Sequence, residues 1–260
     1  MSKHRPRKRF GQHFLRDPGV TAAIVDAISP TGTDTVVEIG PGPGAITAPI
    51  AKIAHQTHLV ELDRDLAAQL RTQYSANDRV TVHEADALRF DFTSLGGELR
   101  IVGNLPYNIS TPLLFYLLEQ RQCIRDMHFM LQKEVVDRMA ASPGSKAYGR
   151  LGIMLQCWFE IDALFDVDRA AFEPPPDVTS AVVRLTPKPD SEVAIDDPVL
   201  LSTVVAAAFS RRRKTLRNAL AGKLDTDDFD ALDIDPSLRP ENIAFGDWVR
   251  IANYLAQAAR

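Results

Sequence analysis

The order of hydrophobic and polar positions divides most of the chain into alternating strand and helix segments. Short apolar runs, typical of buried strands, cover residues 35–39, 58–62, 80–83, 99–103 and 127–131. Apolar residues at helical spacing fill the intervals, at residues 18–28, 46–54, 64–75 and 112–119. Asp17 as N-cap and Pro18 as first helical residue mark the start of the first helix. Strands that alternate with helices predict a parallel α/β sheet with right-handed crossovers.

The pattern changes near residue 186 and predicts a second, smaller domain. Residues 181–185 form a late apolar strand, which we expect to be the last, and residues 186–190 contain two prolines, as a linker would. From Pro198 onward the apolar spacing is helical, over residues 199–209, 213–221 and 246–259. We therefore predict a Rossmann-like α/β domain over residues 1–187 and a small all-helical domain over residues 188–260.

Composition narrows the class of protein. The 260 residues are 45% hydrophobic and 25% charged, which is average for a soluble globular chain and unlike a collagenous, disordered or disulfide-stapled one. No apolar run approaches the ~18 residues of a membrane helix. Cys123 and Cys157 belong to no CxxC or Cys/His cluster, so we predict no metal site. The basic first residues precede no apolar segment, which predicts a cytoplasmic protein without a secretory signal.

Three glycines follow the first predicted strand, at positions 40, 42 and 44. Glycine lets the backbone pass close to a ligand, and the start of the next helix favours a polar or negative group. Gly40-x-Gly42-x-x-Ala45 satisfies the dinucleotide fingerprint, yet this loop alone does not separate a nicotinamide dinucleotide from S-adenosylmethionine. A tight turn without any ligand stays open as well.

Acidic residues follow the next two strands. Glu61 ends the second strand about 20 residues after Gly40, where a carboxylate accepts both hydroxyls of a ribose. Asp86 follows the third strand and can accept from the exocyclic amine of adenine. The alternatives are a surface acid paired with Arg64 for Glu61, and an N-cap or solvated residue for Asp86.

The loop at residues 103–108, Gly-Asn-Leu-Pro-Tyr-Asn, follows the fourth strand and shares the sheet edge of the glycine loop. It suits methylation of an exocyclic amine, which is a poor nucleophile because its lone pair is delocalised. The Asn104 side-chain oxygen and the Leu105 carbonyl can hold both N–H groups and stabilise the positive charge that develops on nitrogen. Tyr107 offers a face on which the base stacks, worth about 1–3 kcal/mol. A loop turn with a buried tyrosine is the alternative.

Positive charge is concentrated in two segments. The formal net charge of −4 by itself argues against a nucleic-acid partner. However, residues 1–16 hold six basic side chains and residues 211–217 hold five, and neither segment contains an acid. Because these eleven positive charges belong to a chain of net charge −4, the remaining residues together carry −15. Phosphate binding is the natural function of the second cluster, and a solvated helix face is the alternative. This basic cluster comprises Arg211, Arg212, Arg213, Lys214 and Arg217.

Seven segments carry specific motifs, at residues 9–15, 37–42, 61–65, 103–112, 130–135, 172–178 and 209–218. Together they resemble the rRNA adenine N6-dimethyltransferase family, most closely its bacterial small-subunit branch, over nearly the whole chain. The resemblance implies a Rossmann-like S-adenosylmethionine-dependent methyltransferase fold and a small helical domain that docks on a ribosomal subunit precursor. It also implies dimethylation of N6 on two adjacent adenines in a loop near the 3′ end of 16S rRNA, with each base turned out of its stack.

The resemblance also implies which residues bind the cofactor S-adenosylmethionine. His13 and Leu15 match a segment that touches it, although the family often has Asn in place of His13. Gly40 and Gly42 match the loop against its methionine part. Glu61 matches its ribose ligand and Asp86 its adenine ligand.

On the substrate side, Asn104 matches a residue shared between the cofactor edge and the target amine. Tyr107 and Phe172 match the aromatic residues that hold the extruded adenine. Without the resemblance, Phe172 before a run of prolines is equally well explained as a hydrophobic plug.

The leading interpretation is an S-adenosylmethionine-dependent methyltransferase that acts as a monomer on 16S rRNA within the 30S subunit or its precursor. The antibiotic-resistance branch, which modifies large-subunit rRNA, is a close alternative, although residues 211–218 favour the small-subunit branch. A NAD-dependent oxidoreductase would need an acid/base for hydride transfer, and residues 104–107 offer none. For a non-catalytic assembly factor, Asn104→Ala would leave the cellular phenotype intact.

Overall fold

A computed structural model describes residues 13–258 of the chain. The strands within this range are β1 (Phe14–Leu15), β2 (Thr35–Ile39), β3 (Gln56–Glu61), β4 (Val80–Glu84), β5 (Leu99–Asn104), β6 (Ile124–Gln132), β7 (Phe159–Val167), β8 (Phe172–Glu173) and β9 (Ser180–Pro187). The α-helices are α1 (Pro18–Ile28), α2 (Thr47–Ile53), α3 (Arg64–Gln73), α4 (Ser110–Glu119), α5 (Lys133–Met139), α6 (Arg150–Gln156), α7 (Pro198–Ser210), α8 (Leu216–Ala219), α9 (Thr226–Ala231) and α10 (Phe245–Ala258).

Most predicted elements have a counterpart that begins and ends within a few residues of the prediction. Asp17 caps α1 as expected, because its carboxylate accepts the N–H groups of Gly19 and Val20. Among the predicted helices, the one over residues 213–221 differs most from the structure. It is limited to the single turn of α8, because Thr215 has an extended backbone and the residues before it form a turn.

Within residues 13–258, one sheet contains seven strands in the order β4-β3-β2-β5-β6-β9-β7. The five strands from β4 to β6 run parallel, and β9 runs antiparallel to β6. The predicted parallel α/β sheet is thus confirmed. The chain winds in opposite directions from the β2–β5 pair, and open α/β sheets bind ligands at the carboxyl ends of strands at such a switch point.

Strands β2 and β5 approach each other closely at this point. Glu38 of β2 is paired with Val102 of β5. A Cβ atom on the next residue, Gly103, would lie only 2.5 Å from the carbonyl oxygen of Ile39, so glycine is required there. Fully buried aliphatic side chains on both strands, including Val36 and Ile101, hold the pair in the core.

The described residues form two compact units, one from 13–136 together with 160–187, the other from 137–159 together with 188–258. The structure therefore assigns residues 137–159 to the helical unit, whereas the predicted boundary left them in the α/β domain. Helix α6 is almost entirely buried, and helix α7 of the second unit packs against it. A backbone hydrogen bond also joins the two segments of this unit, since the Lys188 N–H donates to the Trp158 carbonyl. None of the described helices is long and apolar enough to cross a membrane.

Candidate active site

An open cavity lies at the carboxyl ends of β2, β3, β4 and β5, within the α/β unit. Its empty volume, including the part open to solvent, is about 910 Å³, which is large enough for a cofactor-sized molecule. The predicted site residues that line it are His13, Gly40, Gly42, Glu61, Asp86, Asn104, Leu105 and Tyr107. Residues from five separate segments of the chain therefore meet at one place.

The glycine loop forms one wall of the cavity. Gly40 and Gly42 have φ angles of 63° and 56°, which only glycine adopts without strain. A Cβ atom on Gly42 would lie 3.1 Å from the Phe14 ring. The Gly40 N–H donates to the Val60 carbonyl at 2.9 Å, which fixes the loop to the end of β3. The loop thus presents backbone rather than side chains to a ligand.

Glu61 is nearly buried at the end of β3, and both of its oxygens already accept backbone N–H groups. Oε1 accepts from Asp63 at 2.8 Å, and Oε2 accepts from Gly42 at 3.2 Å. Burial raises the pKa of this carboxyl, and the two backbone hydrogen bonds partly offset the rise. Arg64, the alternative partner, pairs with Glu84 instead. Because each carboxylate oxygen has a second lone pair, Glu61 retains the capacity to accept two hydroxyl groups.

Asp86 lines the cavity in the turn after β4. One of its oxygens accepts the N–H of Leu88 at 3.0 Å, so the side chain both stabilises the turn and borders the cavity. Two apolar residues that the sequence motifs did not indicate, Leu62 and Ala87, also line the cavity. In the sequence, a large apolar residue directly after the strand could have indicated this apolar surface. In the structure this residue, Leu62, is 51% exposed.

Asn104 ends β5, and its amide orientation follows from its hydrogen bond. Its Nδ2 donates to the main-chain carbonyl of His13 at 2.8 Å. The side-chain oxygen is therefore directed away from that carbonyl and remains an acceptor on a cavity-lining residue. The next residue, Leu105, is buried, and its N–H donates to the Met130 carbonyl, so the loop is fixed to β6 as well.

Tyr107 is half-buried and lines the same cavity, so it is not simply a core tyrosine. Its hydroxyl lies 2.9 Å from Oγ of Ser180. The His13 ring stacks on the Tyr107 ring, with centroids 5.8 Å apart and planes inclined by 26°. Burial raises the pKa of Tyr107, and the hydrogen bond with Ser180 opposes the rise.

Leu15 and Phe172 do not belong to the described lining of the cavity. They are directly opposite each other in the antiparallel pair of β1 and β8, and both are part of a hydrophobic cluster in the core. Phe172 is only 4% exposed, as the alternative of a hydrophobic plug requires. Its implied role at the extruded adenine stays a prediction.

The basic cluster lies in the helical unit, at the turn between α7 and α8. Arg211, Arg213, Lys214 and Arg217 are exposed, and all but Arg217 line an open groove. Arg212 is partly committed within the protein, because its Nε contacts Glu241 at 2.6 Å and its Nη2 donates to the Lys146 carbonyl. Of the first basic segment, only Arg16 lies within the described range, where it pairs with Glu173 at 3.1 Å. The other five basic residues lie outside the described residues.

The cavity fits a cofactor that carries a nucleoside. Glu61 supplies a nearly buried acceptor for two hydroxyl groups, and Asp86 supplies an acceptor on the neighbouring strand end. Leu62 and Ala87 add apolar surface beside them, as the faces of a purine require. These groups match the adenosine part of S-adenosylmethionine, and the side-chain-free loop at Gly40 and Gly42 matches a ligand that lies close to backbone.

The chain is similar to known rRNA-modifying proteins over nearly its whole length. A family model described as ribosomal RNA adenine dimethylase matches residues 3–257. The chain is 59% identical over 253 residues to ribosomal RNA small subunit methyltransferase A of Thiobacillus denitrificans, covering 97% of this chain and 99% of the relative. It is 57% identical over 256 residues to the protein of the same name from Aromatoleum aromaticum, covering 98% and 96% of the two chains.

The fold is also similar to that of solved methyltransferase structures. A dimethyladenosine transferase from Plasmodium falciparum superposes with a TM-score of 0.83 at 26% identity, covering 95% of this chain and 98% of that one. The 23S rRNA methyltransferase ErmE superposes with a TM-score of 0.75 at 25% identity, covering 94% and 100%. The chain therefore belongs to the ribosomal RNA adenine dimethylase family, whose members are S-adenosylmethionine-dependent rRNA methyltransferases.

Proposed function

We propose that this enzyme dimethylates N6 of two adjacent adenines in a loop near the 3′ end of 16S rRNA, as a step in small-subunit biogenesis. Asn104 carries this proposal, because its amide is oriented by the His13 carbonyl while its oxygen remains an acceptor at the cavity. The curated relatives at 59% and 57% identity, which bear the name of a small-subunit methyltransferase, support the choice of rRNA.

Cofactor binding uses the wall made by the glycine loop and the two acids. Bound S-adenosylmethionine supplies an electrophilic methyl group on its sulfonium. Glu61 accepts the ribose hydroxyls with the lone pairs that Gly42 and Asp63 leave over, and Asp86 accepts from the adenine amine. Gly40 and Gly42 let the main chain approach the methionine part, and the His13 main chain closes the site through its bond to Asn104.

The target amine is held by the loop that begins at Asn104. The Asn104 Oδ1 atom and the Leu105 carbonyl accept its two N–H groups, which directs the nitrogen lone pair and stabilises the positive charge that develops there. Tyr107 provides a ring face for the extruded adenine. Positioning and fixed dipoles supply the catalysis, and no covalent intermediate with the protein is required.

The helical unit supplies contacts to RNA phosphates. The exposed side chains of Arg211, Arg213, Lys214 and Arg217 are available for this, and each contact adds affinity by releasing counterions. We propose that the enzyme acts as a monomer in the cytoplasm, on 16S rRNA within the 30S subunit or its precursor, and that this unit helps to dock it.

A second candidate substrate is large-subunit rRNA, since the 23S rRNA methyltransferase ErmE shares the fold over 94% of this chain. Its sequence identity of 25% is less than half that of the small-subunit relatives, which favours the 16S substrate.

Labelled S-adenosylmethionine and separated ribosomal subunits test the proposal. Small and large subunits whose rRNA lacks these methyl groups are incubated with the enzyme, and the nucleosides are analysed by mass. We expect N6-dimethyladenosine from the small subunit only. A methylated pyrimidine or guanine would reject the reaction, and label in the large subunit alone would favour the second candidate.

A further inference from the structure

Two side chains from distant parts of the chain hold the Tyr107 ring in place. Ser180 contacts its hydroxyl group, and His13 stacks on its face. Neither residue is adjacent to Tyr107 in sequence, so the contacts join the loop after β5 to two other segments. A tyrosine side chain rotates about two bonds, and a hydrogen-bonded hydroxyl together with a stacked ring on one face restricts that freedom.

The hydroxyl of Ser180 is a rigid anchor. Ser180 is the first residue of β9, is 1% exposed, and is paired with Gln132 at the end of β6. The adjacent Thr179 carbonyl accepts the Lys133 N–H at 3.0 Å, so backbone hydrogen bonds hold this strand end on both sides of the contact. The phenol and the serine hydroxyl each donate and accept, and their 2.9 Å separation is that of a direct hydrogen bond.

The imidazole of His13 is held on the same ring by a second bond. Its Nδ1 lies 2.8 Å from the Pro174 carbonyl, which can only accept, so Nδ1 carries a proton and donates. The main-chain carbonyl of His13 simultaneously accepts the Asn104 amide. One residue thus contacts both the amine-binding side chain and the base-stacking ring.

We propose that His13 and Ser180 are positioning residues for the target adenine: they fix the Tyr107 ring so that the base amine meets Asn104. This inference rests on the proposed function, in which Tyr107 contacts the base. It assigns the His13 side chain to the RNA side of the cavity, whereas the family resemblance implied a role for this residue at the cofactor.

A double-mutant cycle tests the Ser180 contact, with turnover measured on small subunits that lack the methyl groups. Ser180→Ala and Tyr107→Phe should each lower kcat roughly tenfold through a misplaced ring, and the double variant should lose no more than either single one. Ser180→Thr keeps the hydroxyl and should recover most of kcat. Tyr116→Phe is the matched control, because it removes a phenol bonded to the Phe90 carbonyl in the same unit, and its kcat should stay normal.

Unchanged kcat in Ser180→Ala, or losses that simply multiply in the double variant, would overturn the role of Ser180. Tyr107→Ala distinguishes a failure of the proposed contact between Tyr107 and the base from a failure of the positioning role of Ser180. If it keeps full turnover, the proposed contact between Tyr107 and the base fails; if it loses turnover while Ser180→Ala does not, only the positioning role fails.

His13→Ala removes the ring but keeps the carbonyl that orients Asn104. We expect kcat/KM for the RNA to fall roughly tenfold, while the Kd for S-adenosylmethionine, measured by calorimetry, stays within twofold. His13→Phe restores a flat ring over Tyr107 and should recover part of the loss. Weaker cofactor binding with unchanged RNA kinetics would place the side chain at the cofactor and refute the inference.

Discussion

The carboxyl group of Glu38 accepts a hydrogen bond of 2.5 Å from the hydroxyl of Thr47, across the glycine loop. Glu38 lies in β2, just before the loop, and Thr47 is the first residue of α2, just after it. This buried hydrogen bond therefore joins the two ends of the loop. Burial is the main cause that raises the pKa of Glu38 to about 7, the nearby charge of Glu61 adds to it, and the Thr47 bond opposes it.

Glu38 should therefore make the stability of the enzyme depend on pH. Its folded-state pKa of about 7 lies above the ordinary 4.5, so the folded protein binds more protons between these values. The contribution of Glu38 to the free energy of unfolding should fall as the pH rises from 4.5 through 7, by about 3 kcal/mol. Denaturant unfolding at several pH values measures this. Glu38→Gln should flatten the profile, whereas Glu119→Gln, an exposed acid, should leave it unchanged.

Asn104→Ala should lower turnover at least 100-fold, because it removes an acceptor for the amine and the group that fixes the His13 carbonyl. Binding of the variant to small subunits, measured by filter retention, should remain close to normal. Near-normal turnover would contradict the catalytic role of this residue.

Glu61→Ala should weaken S-adenosylmethionine binding by about 1–3 kcal/mol, since ribose hydroxyls would be left without an acceptor. Glu84→Ala is a matched control, because Glu84 is paired with Glu61 at the same level of the sheet and contacts Arg64 and Arg71. Calorimetry on both variants compares them. An unchanged Kd for the Glu61 variant would refute the role of the carboxylate in ribose binding.

Replacing Arg211, Arg212 and Arg213 by Gln should flatten the salt dependence of subunit binding, by roughly one in the slope for each lost phosphate contact. Arg212→Gln alone should change the slope least, because this side chain is already paired with Glu241. Affinity is measured from 50 to 200 mM salt. Arg184→Gln, which breaks a surface ion pair with Asp162, serves as control, and an equal slope in the triple variant would show that the cluster binds no phosphate.

His58 and His83 form a second pH-dependent pair, on β3 and β4, with ring nitrogens 3.1 Å apart. Burial lowers the pKa of both, and for His58 the charge of His83 lowers it further. The folded state therefore favours the neutral rings, and the contribution of this pair to stability should fall as the pH drops below the ordinary value of 6.5, opposite in sign to that of Glu38. His83→Gln should weaken this loss in unfolding measurements between pH 5 and 7. An unchanged slope there would contradict the pairing.

Local sequence patterns predicted the parts of the fold that depend on neighbouring residues. These parts include the strand at 35–39, its glycine loop and the acid at Glu61. They were predictable because burial, turn geometry and strand spacing depend on residues that are close together in the sequence. The cavity followed from a general rule on where parallel strands end. The loop at Asn104 lies where that rule placed it.

Features that depend on distant partners were not predictable in this way. Phe172 is buried because it is paired with Leu15, 157 positions earlier, and no local pattern records that pairing. Strand β7 was missed because acidic residues interrupt its apolar positions. In the folded protein two of them are paired with cations from other elements, Asp162 with Arg184 and Asp166 with Lys133.

The close approach of β2 and β5 at Gly103 has a further consequence for the reaction. The loop that we propose to approach the cofactor leaves β2 at Gly40, and the loop that we propose to hold the amine begins at Asn104 in the adjacent strand. Their starting points are thus about 4.8 Å apart, a distance that backbone hydrogen bonding sets in every sheet. In the proposed reaction, the pairing of β2 and β5 would therefore set the spacing between the loop at the methyl donor and the loop at the acceptor amine.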